Sequence, residues 1–447
     1  MEKFISWLNK RRVNSPMVLT MGMGLLILIG ALLLNLPIAN KTGEDIHFID
    51  ALFTATSALC VTGLSVVNTA KYWTLFGQVV IIILIQIGGL GFMTMATIIS
   101  MLLGKRITLT ERLILKEQFN QDTLTGLVRL TKNIIYFTLG VEFLGAMLLS
   151  VRFIPMFGIS KGIWYSVFHS ISSFCNAGFD ILGDSLIDYS SDTLTMTTIA
   201  LLIIIGGLGY SVVRDWYNHK KFHKLSLHSK VVSIVTAVLL IMGTLIFLLI
   251  EFTNYETIGG MNLFDKILNS FFQSTTSRTA GYASVDIGKI REPSAFFLII
   301  LMFIGGSPGS TAGGIKTTTI GVIVFSTLAT IKGERDVVLF KKRLSDDIIK
   351  KALAIIFISL TMIVMMSFVL SLIEEEAFLS LLFETTSAFT TVGLSRGITP
   401  ELSYISKLIL SVAMYIGRVG PLTMAYALGR KEKSSALRYS EGYIMVG

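Results

Sequence analysis

The sequence predicts an all-α polytopic membrane protein: four covalently linked helix–pore-helix–helix repeats, with eight transmembrane helices and four re-entrant pore loops, around one central pore. Hydrophobic residues make up 52% of the 447 residues and charged residues only 15%, which is poor for a soluble surface and normal for a polytopic membrane protein. Repetition is the second observation, because four times a phenylalanine is followed ten residues later by a glycine. Each of these glycines is followed 23 to 27 residues on by Ile-Gly. The pairs are Phe53/Gly63, Phe168/Gly178, Phe271/Gly281 and Phe383/Gly393.

Eight apolar runs supply the predicted transmembrane helices. Each run is near or above the ~20 residues that a helix needs to cross the hydrocarbon core. Basic residues precede the first run, but the run is long and lacks a convincing cleavage site, so we interpret it as a retained helix and not as a signal peptide. The runs are residues 17–38, 75–103, 134–154, 194–213, 231–252, 296–325, 348–373 and 405–428.

Most of the positive charge lies in five segments that alternate with loops poor in Lys and Arg. Because Lys and Arg accumulate in cytoplasmic loops of membrane proteins, both termini are predicted to be cytoplasmic. An even number of spans places both termini on one side independently. This topology accounts for the basic loops, so no nucleic acid partner is expected. The segments lie within residues 3–12, 105–132, 214–230, 332–351 and 430–438.

Each unit has the same order of an apolar span, a short amphipathic segment, a glycine loop and a second apolar span. In the first unit the amphipathic segment, residues 48–59, is too short to span a membrane but suits a re-entrant helix. The predicted organisation is a cytoplasmic N-terminus (1–16), pore repeat 1 (17–104), a linker and pore repeat 2 (105–216), a linker and pore repeat 3 (217–332), a linker and pore repeat 4 (333–430) and a cytoplasmic C-terminal tail (431–447).

The residues that follow each short helix are the candidate ion filter. A dehydrated cation needs a ring of oxygens, and backbone carbonyls supply it only when consecutive peptides point inward, with dihedral angles that glycine adopts easily. The partly negative C-terminal end of each short helix also favours a cation. Tight helix–helix contacts at small residues are the alternative, but they do not explain a short helix at a fixed distance before every glycine. The candidate filter residues are Val61, Thr62, Gly63, Asn176, Ala177, Gly178, Thr279, Ala280, Gly281, Thr391, Val392 and Gly393.

The last span of the third unit is interrupted. Five glycines and a proline within the ten residues 305–314 do not form a good helix, and apolar sequence surrounds them. We interpret the break as a gate, because an unwound loop of small residues can block a pore and swing aside. A static kink, or a break that only lines the cavity, is the alternative. The candidate gate residues are Gly305, Gly306, Ser307, Pro308, Gly309, Ser310, Thr311, Ala312, Gly313, Gly314, Lys316 and Arg418.

Arg418 lies in apolar sequence that aligns with the interrupted span. A buried cation in a membrane is costly and is a functional candidate by default. Two roles fit it: hydrogen bonds to loop carbonyls that hold the gate shut, or an electrostatic barrier to a permeating cation. A helix-packing arginine that reaches the lipid headgroups is the alternative.

Arg278 lies inside the third glycine loop, where an unpaired positive charge would repel a cation. We therefore predict that it supports the filter from behind, paired with an acid or with backbone carbonyls. Glu384, Asp286 and Asp50 are the candidate acids. The polar residues of the short helices are interpreted as packing residues and not as ion ligands. They are His169, Gln273 and Glu384.

Several classes of function are not expected. The spans contain no His/Asp/Glu cluster and no nucleophile–base pair, so an enzyme is not expected. Residues 305–314 lack the strand–loop–helix context and the Gly-Lys-Ser/Thr ending of a phosphate loop, so no nucleotide is expected on this chain. The two cysteines, Cys60 and Cys175, suggest neither a disulfide framework nor a metal site, and no covalent cofactor is expected.

These motifs resemble the Trk/Ktr/HKT superfamily of potassium transporters, and specifically the membrane subunits of bacterial Ktr systems. The resemblance covers essentially the whole chain and rests on the four pore loops, on residues 277–282 (Ser-Arg-Thr-Ala-Gly-Tyr) and on the interrupted span. It implies potassium uptake down the electrochemical gradient across the bacterial cell membrane, with 305–317 as an intramembrane gating loop. A serine at the first filter glycine is associated with sodium transport in the superfamily, so Gly63 favours potassium. A sodium- or ammonium-conducting member is the alternative.

The resemblance also implies partners. It implies a homodimer that rests on a cytosolic KtrA-like regulatory ring of the RCK type, and that ring would bind ATP or ADP in place of this chain. K⁺ would be the transported ion, and membrane lipid would surround the helices. The tail ends in apolar residues 443–446 after a charged stretch, which suits a contact at the dimer interface.

Overall fold

A computed structural model describes residues 15–41, 46–91, 94–95, 126–421, 423–424 and 445. Nearly all of the predicted N-terminal segment, much of the linker before the second unit and almost the whole predicted tail lie outside these residues. The described chain is mostly helical and of a membrane type, which confirms the coarse fold class.

The helices of the described residues are numbered in chain order. A hairpin of two short strands, with two residues each, lies between the twelfth and the thirteenth helix. They are α1 (Ser15–Leu34), α2 (Phe48–Cys60), α3 (Thr69–Tyr72), α4 (Leu75–Leu90), α5 (Leu127–Phe157), α6 (Ile159–Phe174), α7 (Thr193–Leu208), α8 (Tyr210–His219), α9 (Leu227–Glu251), α10 (Leu263–Thr276), α11 (Glu292–Phe303), α12 (Thr317–Ile331), β1 (Val338–Leu339), β2 (Lys342–Arg343), α13 (Asp346–Ser371), α14 (Phe378–Phe389) and α15 (Tyr404–Val419).

Among the described residues, four helices are long and apolar enough to cross a membrane: α1, α5, α9 and α13. The pair α7 and α8 makes a fifth if its 94° bend lies within one span. The four long helices bury only 22–39% of their most apolar stretch and expose large apolar side chains such as Phe143 and Leu249, as helices that face lipid do. The count of eight spans stays a prediction, because α4, α11 and α12 have 16, 12 and 15 residues.

Four short helices, α2, α6, α10 and α14, are buried along much of their length although they are rich in Ser and Thr. Many of their hydroxyls are satisfied locally, because they donate to the backbone carbonyl four residues earlier. Examples are Thr56 to Leu52 at 2.7 Å and Thr385 to Leu381 at 2.7 Å. This local bonding lets polar helices pack inside an apolar protein without losing hydrogen bonds.

In three of the four units, the glycine of the Ile-Gly pair lets the following helix approach a short helix closely. A Cβ atom at Gly88, Gly206 or Gly417 would clash with the carbonyl oxygen of the residue four before the glycine of a Phe/Gly pair. Those carbonyls belong to Leu59, Phe174 and Phe389. In the third unit the corresponding Gly305 lies against Gly313 instead. The third unit therefore departs from the others at the position where the sequence departs.

Replacing Gly88 by alanine is expected to lower the free energy of unfolding by roughly 1–3 kcal/mol, because the new methyl group meets rigid backbone at Leu59. The thermal unfolding midpoint of the detergent-solubilised protein measures this. Gly140→Ala in α5 is the matched control, since a Cβ there has no neighbour within 4 Å. Equal midpoints for the two variants would contradict the close contact.

Candidate functional site

The three-residue stretches that end in the four repeat glycines share an unusual backbone; we call them the glycine segments, residues 61–63, 176–178, 279–281 and 391–393. In each, the first residue and the glycine have positive φ, whereas the middle residue does not. Alternating handedness turns successive amides to one side of the chain and successive carbonyls to the other. Left-handed dihedrals are rare for residues other than glycine and concentrate at functional sites. The positive angles are 58° and 97° for Val61 and Gly63, 60° and 68° for Asn176 and Gly178, 73° and 80° for Thr279 and Gly281, and 52° and 93° for Thr391 and Gly393.

The amides of the glycine segments are tied to the short helices. In the first segment the carbonyl of Ser57 accepts from the Thr62 amide at 2.8 Å, and the hydroxyl of Ser57 accepts from the Gly63 amide at 3.1 Å. Ser387 does the same for the fourth segment, with distances of 2.8 and 3.0 Å. The carbonyls of the segments are consequently free to face away from the helices. In the second and third segments the acceptors are the carbonyls of Ser172 and Thr276.

The four segments form a closed ring. A Cβ atom built on any one of the four glycines would meet the carbonyl oxygen of the residue before the next glycine, and the order returns to its start. All four glycines also line one cavity of about 170 Å³. The contacts run from Gly63 to the Ala177 oxygen at 2.5 Å, from Gly178 to the Ala280 oxygen at 2.6 Å, from Gly281 to the Val392 oxygen at 2.5 Å, and from Gly393 to the Thr62 oxygen.

The backbone is broken between α11 and α12, where the sequence predicts an interruption. The ends of this 305–317 loop lie side by side: the Gly305 amide donates to the Ile315 carbonyl at 2.9 Å, and the Thr317 amide donates to the Gly306 carbonyl at 3.0 Å. Most residues of the loop are buried. The chain therefore leaves the helix, turns, and returns beside its point of departure.

The 305–317 loop lies between the ends of α6 and α7 on one side and the fourth glycine segment on the other. On one side the Ser307 amide donates to the Gly207 carbonyl at 3.0 Å, and the Thr311 hydroxyl donates to the Phe174 carbonyl at 2.9 Å. On the other side Gly313 lies against the Thr391 side chain. The sequence pattern did not indicate the contact with α7. The available signal was the pair Gly206-Gly207, since two residues without side chains leave their carbonyls accessible.

Two cationic side chains bind the loop. The Arg418 guanidinium donates through Nη1 to the Thr311 carbonyl at 2.6 Å and through Nη2 to the Gly88 carbonyl at 2.5 Å. The Lys316 ammonium donates to the Ala312 carbonyl at 2.8 Å. Neither forms an ion pair with an acid in the described part of the chain. Both line a cavity of about 290 Å³. The structure thus contains the hydrogen bonds from Arg418 to the loop that the sequence suggested.

Arg278 bonds to a hydroxyl and not to one of the candidate acids. The residue is only 6% exposed, and its guanidinium donates to the Thr236 hydroxyl of α9 at 3.4 Å, with no acid partner among the described residues. The three acids proposed as its partners are engaged by other groups. Asp50 pairs with Lys407 at 2.9 Å, Asp286 with Lys289 at 3.6 Å, and Glu384 accepts from Ser395 and Thr399. Because each of the three acids binds another group, none of them pairs with Arg278.

Long apolar helices around a ring of backbone carbonyls define a membrane transport protein, since irregular backbone inside such a protein persists only where it is enclosed or lines a cavity. A family model described as a cation transport protein, TrkH, matches residues 10–436, and the chain belongs to this family. Members of the family are transporters, which confirms that the chain is not an enzyme.

The chain is 44% identical to the Ktr system potassium uptake protein B of Bacillus subtilis, over 100% of this chain and 99% of that protein. It is 42% identical to the potassium/sodium uptake protein NtpJ of Enterococcus hirae, over 98% of each chain. The crystal structure of the potassium transporter TrkH from Vibrio parahaemolyticus has a TM-score of 0.73 and 17% identity, over 93% of this chain and 85% of that one. This last similarity supports the fold.

Proposed function

We propose that the protein is the ion-translocating subunit of a Ktr-type system and takes up K⁺ passively through the ring of glycine segments. In this proposal the chain has eight transmembrane helices in four repeats, with the boundaries predicted from the sequence and both termini in the cytoplasm. The closed order of the four segments is the observation that carries it, because four carbonyl-bearing strands around one axis match the construction of a cation filter.

Three features of the ring support a dehydrated cation over an anion or a neutral solute. The carbonyls bring negative partial charge without a formal charge. Each short helix directs its negative end toward a glycine segment. The buried hydroxyl oxygens of Thr62, Thr279 and Thr391 have no hydrogen-bond partner among the described residues, so their lone pairs are available.

Potassium is favoured over sodium by the glycine at all four ring positions and by the potassium uptake for which the Ktr relative of Bacillus subtilis is named. Sodium is the second candidate, because a relative of 42% identity is named a potassium/sodium uptake protein. Ammonium, which is close to K⁺ in size, is the third. Competition among the three ions in a flux assay distinguishes these candidates.

The 305–317 loop is proposed as the gate. It lies against the fourth glycine segment, and Arg418 connects it to α4, so a single guanidinium fixes the loop to a neighbouring helix. We propose that a cytosolic nucleotide-binding ring of the RCK type displaces this loop, and that the chain works as a homodimer. The Bacillus subtilis relative is named for a Ktr system, which supports a partner subunit.

Gly281→Ser tests the filter. The residue has φ of 80°, and a Cβ would meet the Val392 carbonyl at 2.5 Å, so the substitution strains the backbone and displaces a ring oxygen. We expect K⁺ uptake, or the preference for K⁺ over Na⁺, to fall at least about tenfold, which corresponds to roughly 1.4 kcal/mol. Ion flux into proteoliposomes measures both quantities. The matched control is Gly140→Ser, and unchanged flux and selectivity in Gly281→Ser would refute the filter.

Arg418→Ala tests the gate. Removing two charge-assisted hydrogen bonds should raise K⁺ flux in the absence of any regulatory subunit by at least about tenfold. Arg418→Lys separates two roles, because lysine keeps the positive charge but cannot donate the two parallel hydrogen bonds of a planar guanidinium. If Arg418 holds the loop by hydrogen bonds, flux should rise in this variant as well; if it acts as an electrostatic barrier, flux should stay low. Arg152→Ala, at a half-exposed surface ion pair, is the control. Flux that Arg418→Ala leaves unaltered, with and without regulation, would exclude the gate.

A further inference from the structure

We infer that His169, Gln273 and Glu384 are positioning residues that set the discrimination between K⁺ and Na⁺. Each holds the chain directly after one repeat glycine, which we call the outer end of that glycine segment. The sequence pattern assigned these three side chains to packing. Each contacts the residue three places after a repeat glycine, from a position eight or nine places before it. The inference rests on the proposed filter and names side chains that shape it.

Glu384 makes the most extensive of these contacts. Its carboxylate is fully buried on α14 and receives three donors from the chain that follows the fourth segment. Oε1 accepts from the Ser395 hydroxyl at 2.6 Å and from the Arg396 amide at 2.9 Å, and Oε2 accepts from the Thr399 hydroxyl at 2.8 Å. One side chain therefore fixes a five-residue stretch directly beyond the ring.

His169 makes the equivalent contact in the second unit. Its Nε2 atom accepts from the Ile181 amide at 3.3 Å, while its Nδ1 atom lies 2.7 Å from the Tyr165 carbonyl. A carbonyl only accepts, so Nδ1 carries the hydrogen and Nε2 presents its lone pair to Ile181. Although they differ in chemistry, His169 and Glu384 both lie nine residues before a repeat glycine and both accept the amide three residues after it.

The third unit has a related but weaker contact, and within the described part of the chain the first unit shows none of this kind. The Gln273 amide donates to the Ser284 hydroxyl at 3.3 Å. In the first unit the residue nine before the glycine is Thr54, whose hydroxyl donates back to the Asp50 carbonyl of its own helix at 2.9 Å. The side-chain support of the outer ends is therefore unequal around the ring.

The position of these contacts links them to selectivity. A helix carbonyl accepts from the middle residue of each segment, and in two segments a serine hydroxyl also accepts from the glycine amide. The outer end continues into residues that line the 170 Å³ cavity. Ser395, which donates to Glu384, lines this cavity next to Gly393. Glycine is conformationally permissive, so contacts on both sides of a repeat glycine restrict its backbone. Filters separate ions of equal charge but different size by the placement of carbonyl oxygens, so a loosened outer end reduces discrimination more than it reduces flux.

The test compares K⁺/Na⁺ selectivity in proteoliposomes for Glu384→Ala and Glu384→Gln. Removing the three acceptor contacts should lower the selectivity ratio roughly three- to tenfold. Glutamine has the same shape and can keep contacts to Ser395, Arg396 and Thr399, so its ratio should stay within about twofold of the wild type. A ratio for Glu384→Gln as low as that for Glu384→Ala would overturn positioning and assign the effect to charge.

Two controls separate this inference from general damage to the fold. Thr54→Ala changes the equivalent position of the first unit, and Glu251→Ala removes a fully buried carboxylate at the end of α9 that accepts from Ser294 and Thr257. Both variants should keep the wild-type selectivity ratio even where the amount of folded protein falls. A drop in the ratio for Glu251→Ala equal to that for Glu384→Ala would refute a specific role.

Thr399→Val keeps the test decisive if Glu384→Ala does not fold. It removes one donor to Glu384 and should shift the ratio in the same direction by roughly twofold, and an unshifted ratio would count against the inference. Gly281→Ser is measured alongside. If it loses selectivity while Glu384→Ala retains it, the filter stands and the positioning role fails. If Gly281→Ser is itself unaffected, the filter fails first.

Discussion

The structure depends on the requirement that backbone amides and carbonyls inside an apolar protein find partners. A helix satisfies this requirement by itself, but the four glycine segments and the 305–317 loop are not helical. In the segments the amides are bound by the ends of the short helices, which leaves the carbonyls on the opposite side. In the loop the amides are bound by carbonyls of α7 and of the loop itself. Both irregular regions are thus stabilised by helix ends, whose carbonyls have no partner within their own helix.

Carbonyl groups serve opposite purposes in the two regions. In the proposed filter they are left free, so that a dehydrated cation replaces water as their partner. In the loop, carbonyls of Thr311 and Ala312 are occupied by the guanidinium of Arg418 and the ammonium of Lys316. A carbonyl that already accepts from a protein cation attracts a second cation weakly, and the two fixed charges oppose its approach. The proposed gate therefore differs from the proposed filter less in its backbone than in what its carbonyls bind.

The sequence predicted what depends on glycine and missed what depends on contacts between distant side chains. Positive φ at Gly63 and its three equivalents, and the break between α11 and α12, follow from local composition. The partner of Arg278 could not be predicted in this way, because Thr236 lies 42 residues away on another helix and no sequence pattern connects the two. The predicted span count was not settled either, since bends and breaks such as that between α7 and α8 shorten helices that the hydropathy pattern joins. Single residues such as Glu384 carry no sign in the sequence that distinguishes a contact beyond the ring from ordinary packing.

Because the four units are linked in one chain, their sequences can differ, whereas a ring of identical subunits has the same sequence at every position around the axis. The backbone of the four segments is nearly the same, because the geometry of a common axis fixes it. The surroundings are not: a carboxylate, an imidazole or a carboxamide contacts the outer end in three units, and the first unit has a threonine bonded to its own helix. Likewise the 305–317 loop interrupts the third unit, and the arginine that binds it comes from the fourth. A loop that belongs to one unit needs a residue of another unit to hold it in place. The proposed gate therefore requires that the four units differ from one another in the region around the loop.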